Sequence, residues 1–415
     1  MKKSMKKLLR SKFFLSFAFL IILMFPTTIY KQADNHTRLV ATTIGIDKTE
    51  DGYEITTLAV IPKASTDVNA NLEIFSAKGK SVSEALNKIA LDTGKNVGLA
   101  HCDCIILSKD ILNENVAKIL DYFIRTANLT TNSTILATNQ KSKDLVEATK
   151  SSNNLLDLSL KDIVSFQEDR TLLENTTIEK FYKKHFSKSS TFILPIISVE
   201  ETSGGESDTS GQTSGNNDQS SGGGSGGSSS QQKKIKNESK VALIQNGSFV
   251  RELTEDELFI YNLLTGGSKY MSITIEDIND EYVTKSTEIY QQIDKIGFPL
   301  YKFEDGKPIV EYQIWLNLML DEIVSEDNFA YASIDALQNF LSTTAEKEIK
   351  NQIQTKLKST VDTMHTEKND ILGLYSAFNA FTHKKFVNYL GTLDNQEDYL
   401  ENIDIRINLH LNYVI

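Results

Sequence analysis

The chain is short of cysteine and proline and has no surplus of positive charge, and each shortage excludes a class of protein. Two cysteines in 415 residues cannot staple a disulfide-rich scaffold or fill a four-cysteine zinc site. Five prolines, placed singly, exclude a proline-rich stalk. Acidic side chains outnumber basic ones 55 to 44, giving a net charge of -11. A nucleic acid would be repelled overall, and no basic stripe reverses this. There is no G-x-S-x-G elbow at a strand-to-helix turn, no phosphate-binding loop, no H-E-x-x-H helix and no EF-hand spacing, so no catalytic motif is expected. No fixed-period repeat suggests a solenoid or propeller.

What is present begins at the amino terminus. Lys2, Lys3, Lys6, Lys7, Arg10 and Lys12 precede the apolar run from Phe13 to Phe25, and Pro26 follows. A basic stretch leading into an apolar one is an export signal. Extended to Tyr30, the segment holds about 18 residues, or roughly 27 Å of helix, enough to span a bilayer. No small-residue cleavage site is apparent and no cysteine follows to accept a lipid. Residues 1–30 therefore read as a signal peptide or uncleaved anchor, with the anchor preferred. The basic flank stays in the cytoplasm and everything after Tyr30 faces outward.

From Glu201 to Gln232 the sequence is Gly, Ser, Thr and acidic or amide residues with no large apolar side chain. Such a stretch cannot offset the entropy of ordering. A flexible linker is expected over 201–237, between a first domain at 35–200 and a second at 238–415. In the first, strands are predicted at Leu39–Ile46, Tyr53–Pro62, Leu99–Leu107 and Ser133–Ala137. Helices follow Ser81, where Glu84 completes a capping box, and run over Asn115–Thr126 and from Asp144. In the second, Asn246-Gly247 marks a hairpin between Lys240–Gln245 and Phe249–Leu253. Thr254 with Glu257 caps a helix. Strands are predicted at Met271–Ile275, Lys295–Phe303 and Ile309–Leu320, with a turn at Asp305-Gly306. A long helix over Ser333–Asn369 carries the stripe Ile349, Ile353, Leu357, Val361 and Met364. A half-buried strand alternates from Ile403 to Leu411. The fold class is α+β: a mixed α/β N-terminal domain, and a C-terminal domain with a mostly antiparallel sheet packed on a long helix.

One cluster invites a chemical reading, His101-Cys102-Asp103-Cys104. In a strand the two cysteines share one face and His101 and Asp103 the other, so the four do not converge on one metal ion. Cysteines two apart in a strand sit about 6.6–6.8 Å apart, at the edge of what a disulfide bridges. Two small buried thiols are expected. His365 and His383 read as surface or capping residues, and Trp315 as a core anchor.

The ordered set of motifs resembles the Ger(x)C family, the C-subunits of spore germinant receptors. It comprises Thr43-Ile44-Gly45-Ile46-Asp47, the helix through Ser81, Glu84, Ala85 and Leu86, and the strand led by His101. It continues with Leu120-Asp121-Tyr122-Phe123-Ile124-Arg125, Val241-Ala242-Leu243-Ile244, Gly306-Lys307-Pro308 and Asp370-Ile371-Leu372-Gly373. The family's lipid-bearing cysteine has no counterpart, since Tyr30-Lys31-Gln32-Ala33 occupies that region. The resemblance implies a non-enzymatic subunit without cofactor or metal, on the outer face of the spore inner membrane. Its partners would be A- and B-type membrane subunits, acting together in nutrient-triggered germination, with any small nutrient engaged indirectly. His101, Arg125, Asp370 and Gly373 are its family-matching structural or interface positions, and the three polar ones are expected to be buried hydrogen-bonding groups. The alternative is an extracytoplasmic solute-binding module that senses a nutrient itself, which needs a pocket between the two halves.

Overall fold

A computed structural model describes Phe19 and residues 38–61, 71–125, 129–156, 160–170, 172–202, 232–265, 269–276, 286–324 and 341–414. Apart from Phe19, the predicted anchor lies outside the described residues, as do 203–231 of the predicted linker and 333–340 of the predicted long helix. Among the described residues no helix is long and apolar enough to cross a membrane.

Strands β1 (Arg38–Thr49) and β2 (Gly52–Ile61) form an antiparallel hairpin closed at Thr49 and Gly52, so β1 runs three residues past the predicted Ile46. β3 (Asn71–Gly79) pairs with β2. Helix α1 (Val82–Thr93) starts at the predicted cap: the Glu84 N–H donates to Ser81 Oγ at 3.2 Å, and the Glu84 carboxylate accepts the Lys80 N–H at 2.9 Å. It buries Val82, Ala85, Leu86 and Ile89 and ends at Gly94, whose φ of 67° suits glycine.

The predicted strand Leu99–Leu107 is two shorter ones. β4 (Asn96–Gly98) and β5 (Cys104–Ser108) both run parallel to β1, with a turn over 99–103 between them. The register of β1 against β2 shifts between Ala41 and Thr43, and there the Thr42 carbonyl accepts the Asp103 N–H at 2.8 Å. The turn thus fits an irregularity in its neighbour, and the two-face alternation read for His101 to Cys104 does not apply.

Next come α2 (Lys109–Leu112), α3 (Val116–Arg125) and β6 (Thr134–Thr138). They are followed by α4 (Ser142–Leu156), α5 (Leu160–Glu168), α6 (Ile178–His185) and β7 (Thr191–Thr202). α3 buries Val116, Ile119, Leu120 and Phe123 along one face. β8 (Gln232–Gln245) pairs antiparallel with β7 out to Thr202 and Gln232, and β9 (Ser248–Glu252) follows through Asn246-Gly247, with φ of 53° and 83°. Nine strands make one sheet in the order β3-β2-β1-β5-β6-β7-β8-β9, with β4 also on β1. The sequence reading put Glu201, Thr202 and Gln232–Asn237 in the linker, but they are strand residues. Their polar composition hid the pairing that β7 and β8 supply to each other. The second half therefore opens by adding two strands to the sheet of the first.

α7 (Glu255–Thr265) leads to a second sheet of β10 (Tyr270–Glu276), β11 (Ser286–Ile296), β12 (Leu300–Glu304), β13 (Lys307–Val324) and β14 (Asp404–Val414). Its pairings are antiparallel except that β14 runs parallel to β13. The predicted strand Lys295–Phe303 breaks at Gly297–Pro299, where the proline has no N–H for the ladder and the Gly297 N–H still reaches the Gln313 carbonyl at 2.8 Å. Between β13 and β14 lie a π-helical turn (Leu341–Ala345), α8 (Glu346–Glu367), α9 (Leu374–Phe381), α10 (His383–Leu390) and a 3-10 segment (Gln396–Asn402).

Two apolar cores result. One lies under α1, α3 and α6, with Ile44, Ile105, Phe123, Phe181 and Phe192. The other begins on the opposite face of the first sheet with Ile106, Leu136 and Leu243 against α4 and α5. It runs on through Leu258, Ile260 and Leu263 of α7 to Val310, Tyr312 and Ile314 of β13 and to Ile349, Ile353 and Leu357 of α8. Burying each such side chain contributes about 1.5–3 kcal/mol. The two halves thus share a core. Trp315, expected in it, is half-buried and stacks on His410 at 4.6 Å between ring centres. Its neighbours Ile314 and Leu316 take the inward positions.

Candidate functional site

The four positions singled out by sequence do not form one site. His101 is exposed in the turn before β5. Arg125 ends α3 at the surface, its guanidinium 2.8 Å from Asp121 one turn earlier, an exposed pair that contributes little. Neither is the buried hydrogen-bonding group the sequence reading expected. At 101 the turn displaces the strand, and at 125 the buried face of α3 is spent on four apolar side chains.

Asp370 is different. It is 1% exposed, in the loop between α8 and α9. Its Oδ1 accepts the Leu374 N–H at 2.7 Å, and its Oδ2 accepts the Tyr375 N–H at 2.9 Å and the Tyr399 hydroxyl at 2.7 Å. The carboxylate therefore satisfies the first free N–H groups of α9 and ties that helix to the 3-10 segment. Gly373 makes this reach possible. Its φ of 71° turns the chain so that the side chain three residues earlier meets the helix start. Burial pushes the Asp370 carboxyl above its ordinary 3.8, against the opposing hydrogen bonds. The oxygens of Asp370 are thus spent on the start of α9 and on Tyr399, and the residue acts as a buried cap.

Cys102 and Cys104 are free and buried. Burial raises the Cys102 thiol to about 12 and that of Cys104 well above its ordinary value. The Cys102 thiol lies 3.4 Å from the Cys104 carbonyl. Thiols held protonated in this way are poor nucleophiles and poor ligands. Among the described residues no three His, Cys, Asp or Glu side chains gather to hold a metal ion.

Sequence reasoning missed two polar clusters: one ties β9, at the edge of the first sheet, to α7 and α8, and the other joins the two halves. Arg251 of β9 makes a bidentate pair with the Glu257 carboxylate, at 2.8 and 2.6 Å, and also reaches Glu367 at the end of α8, at 2.8 Å. Glu257 accepts the Thr254 N–H at 2.8 Å as well, so the predicted capping box is also a docking point. Burial works against the Glu257 charge, but Arg251 and Thr254 outweigh it and hold the carboxyl below its ordinary value. The second cluster sits where α6 meets α7. Lys184 is bonded to the Tyr261 hydroxyl and lies 4.8 Å from that ring's centre, while Lys180 joins Glu174 at 3.2 Å and Glu168 at 3.0 Å. Burial depresses the Lys184 pKa. The lysines and carboxylates were visible in sequence, but nothing in their spacing indicated that α6 and α7 would meet.

An open groove of about 660 Å³ lies within the second half, between Ile353, Leu357 and Val361 of α8 and Ile405, Ile407 and Leu409 of β14. A second, of about 600 Å³, lies in the first half and is lined by charged side chains including Asp47, Lys78 and Glu84. Neither groove lies between the halves.

Residues 33–199 match the family described as the spore germination protein N-terminal domain, and residues 239–413 match the family described as spore germination B3/GerAC like, C-terminal. Among solved structures, the crystal structure of the GerBC protein is similar, with 15% sequence identity and a TM-score of 0.47, covering 90% of this chain and 97% of that one. No curated protein matches significantly. With both family domains present in order over most of its length, the chain belongs to the Ger(x)C family of spore germination proteins.

Proposed function

We propose that the chain is a membrane-anchored, non-enzymatic C-subunit of a nutrient germinant receptor, held by its N-terminal apolar segment and assembled with A- and B-type membrane subunits. The observation that carries this reading is the ordered match of both family domains. The polar groups support a coupling role over a chemical one. Asp370, Arg251 and Glu257 are each spent on joining elements of the fold, and the thiols are buried and protonated. A body whose halves share one core transmits a push from one contact to another as a unit.

Deletion of the chain tests the reading. Spores lacking it should fail to germinate on nutrients, and the intact chain should restore the response. In cells without the A- and B-type subunits, membrane fractions should hold the intact chain and lose most of it once residues 1–30 are replaced by a cleavable signal peptide. Normal nutrient germination of the deletion strain overturns the proposal.

A further inference from the structure

We infer that an aromatic and basic surface on the second half rests on an anionic phospholipid bilayer. Phe298 in the break between β11 and β12 is 71% exposed, Leu300 beside it 55%, and Phe381 at the end of α9 58%. These rings are not loose. Phe298 packs edge-on to Phe381 at 5.0 Å between centres, Phe381 stacks on Tyr301 at 5.3 Å, and Tyr301 meets the fully buried Phe378 at 5.1 Å. A rigid apolar knob is thus held out into solvent, where it costs solvation.

Its surroundings decide what covers it. Lys384 and Lys385 follow Phe381 within four residues, both exposed at the start of α10, and among the described residues neither pairs with an acid. From Ile371 to Leu393 there is no Asp or Glu, in a chain whose net charge is -11. Of the two acids that border this stretch, Asp370 at its start is buried, and the exposed Asp394 lies past the end of α10. Rings flanked by unpaired lysines suit the boundary between headgroups and acyl chains, where aromatics settle and lysines meet anionic phosphates.

The inference rests in part on the proposed anchor. If residues 13–30 span the bilayer, only Lys31 to Thr37 separate it from β1. Fully extended, those residues reach at most about 3.3–3.6 Å each. The folded body is then held within about 30 Å of a lipid surface, so only a weak contact is needed to orient it.

The test uses the full chain, reconstituted into vesicles of phosphatidylcholine alone or with about one-third phosphatidylglycerol. Trp315→Phe removes the native tryptophan and Phe298→Trp places one on the knob; if Trp315→Phe unfolds the chain, Phe298→Trp with Trp315 retained is read against its parent. Flotation reports anchoring, and quenching by brominated phosphatidylcholine reports contact of position 298 with lipid. The expected result is flotation with both vesicle types, quenching on anionic vesicles, and loss of quenching with Lys384→Glu and Lys385→Glu together or in high salt. Flotation without quenching on anionic vesicles overturns the lipid contact, leaves the anchor standing and assigns the knob to a protein partner. Flotation and quenching on anionic vesicles only, both lost with the glutamates, supports the contact and rejects the anchor. No flotation with either type rejects both.

Discussion

Asp370→Ala is the perturbation whose consequence the structure fixes best. The substitution leaves three donors without their acceptor: the buried Leu374 N–H and Tyr399 hydroxyl and the partly buried Tyr375 N–H. Each orphaned donor costs about 1–3 kcal/mol. Removing a buried carboxylate returns part of that, because burial already disfavours its charge. The net loss expected is about 3–5 kcal/mol, the range for breaking a buried charged partnership. Tyr399→Phe removes one donor and should cost about 1–2 kcal/mol. Trp315 is the only tryptophan and lies in the adjoining sheet, so its fluorescence in a urea titration reads the stability of this half.

The pH dependence supplies an independent sign. Burial raises the Asp370 pKa above 3.8 in the folded chain, so the folded state binds that proton more tightly than the unfolded one. The contribution of Asp370 to stability therefore falls as pH rises above 3.8, and levels off once the folded group has ionised. Asp370→Asn has no such group, and its stability relative to the wild type should improve over that window. A cost below 1 kcal/mol for the alanine variant, or a wild-type advantage over asparagine that grows with pH, refutes this account of the cap.

Arg251→Ala leaves the buried Glu257 carboxylate without its bidentate partner and frees α8 from β9. It should cost about 2–4 kcal/mol and speed hydrogen exchange at the end of α8, whereas unchanged exchange would contradict the docking role. Lys184→Met replaces a charge that burial disfavours with an apolar chain of similar length, so melting temperature at neutral pH should hold or rise; a fall of several degrees would show that the bond to Tyr261 outweighs the burial cost. Cys102 and Cys104 should resist a thiol reagent at pH 8 until the chain is unfolded, because burial keeps both protonated, and rapid labelling of the native chain would contradict this. Gly247→Ala should cost about 1–2 kcal/mol in a urea titration, since a Cβ at φ 83° would sit 2.6 Å from the Asn115 carboxamide oxygen, and an unchanged midpoint would mean the loop yields freely.

Features governed by neighbours in the chain were legible in the sequence. Both capping boxes, the Asn246-Gly247 and Asp305-Gly306 turns, the buried faces of α1 and α3 and the alternation along β14 follow from local periodicity and turn chemistry. Features governed by distant partners were not. The polar ends of β7 and β8 pair only because each supplies the other's ladder. The turn at His101 exists because β1 is irregular at Thr42. α9 and α10 have eight residues each, and α9 is capped from Asp370 rather than from the residue before it. The spacing Asp370-x-x-Gly373 before an apolar run was a readable signal for that cap. The bridges through Arg251 and Lys184 had none, because they depend on how elements far apart in the chain pack.

The central claim is assembly with membrane subunits, and capture of the tagged full-length chain from detergent-solubilised spore inner membranes, followed by mass spectrometry, tests it most directly. Recovery of A- and B-type receptor subunits with the chain is the predicted result. Recovery of neither, with the chain intact and membrane-bound, would contradict the account.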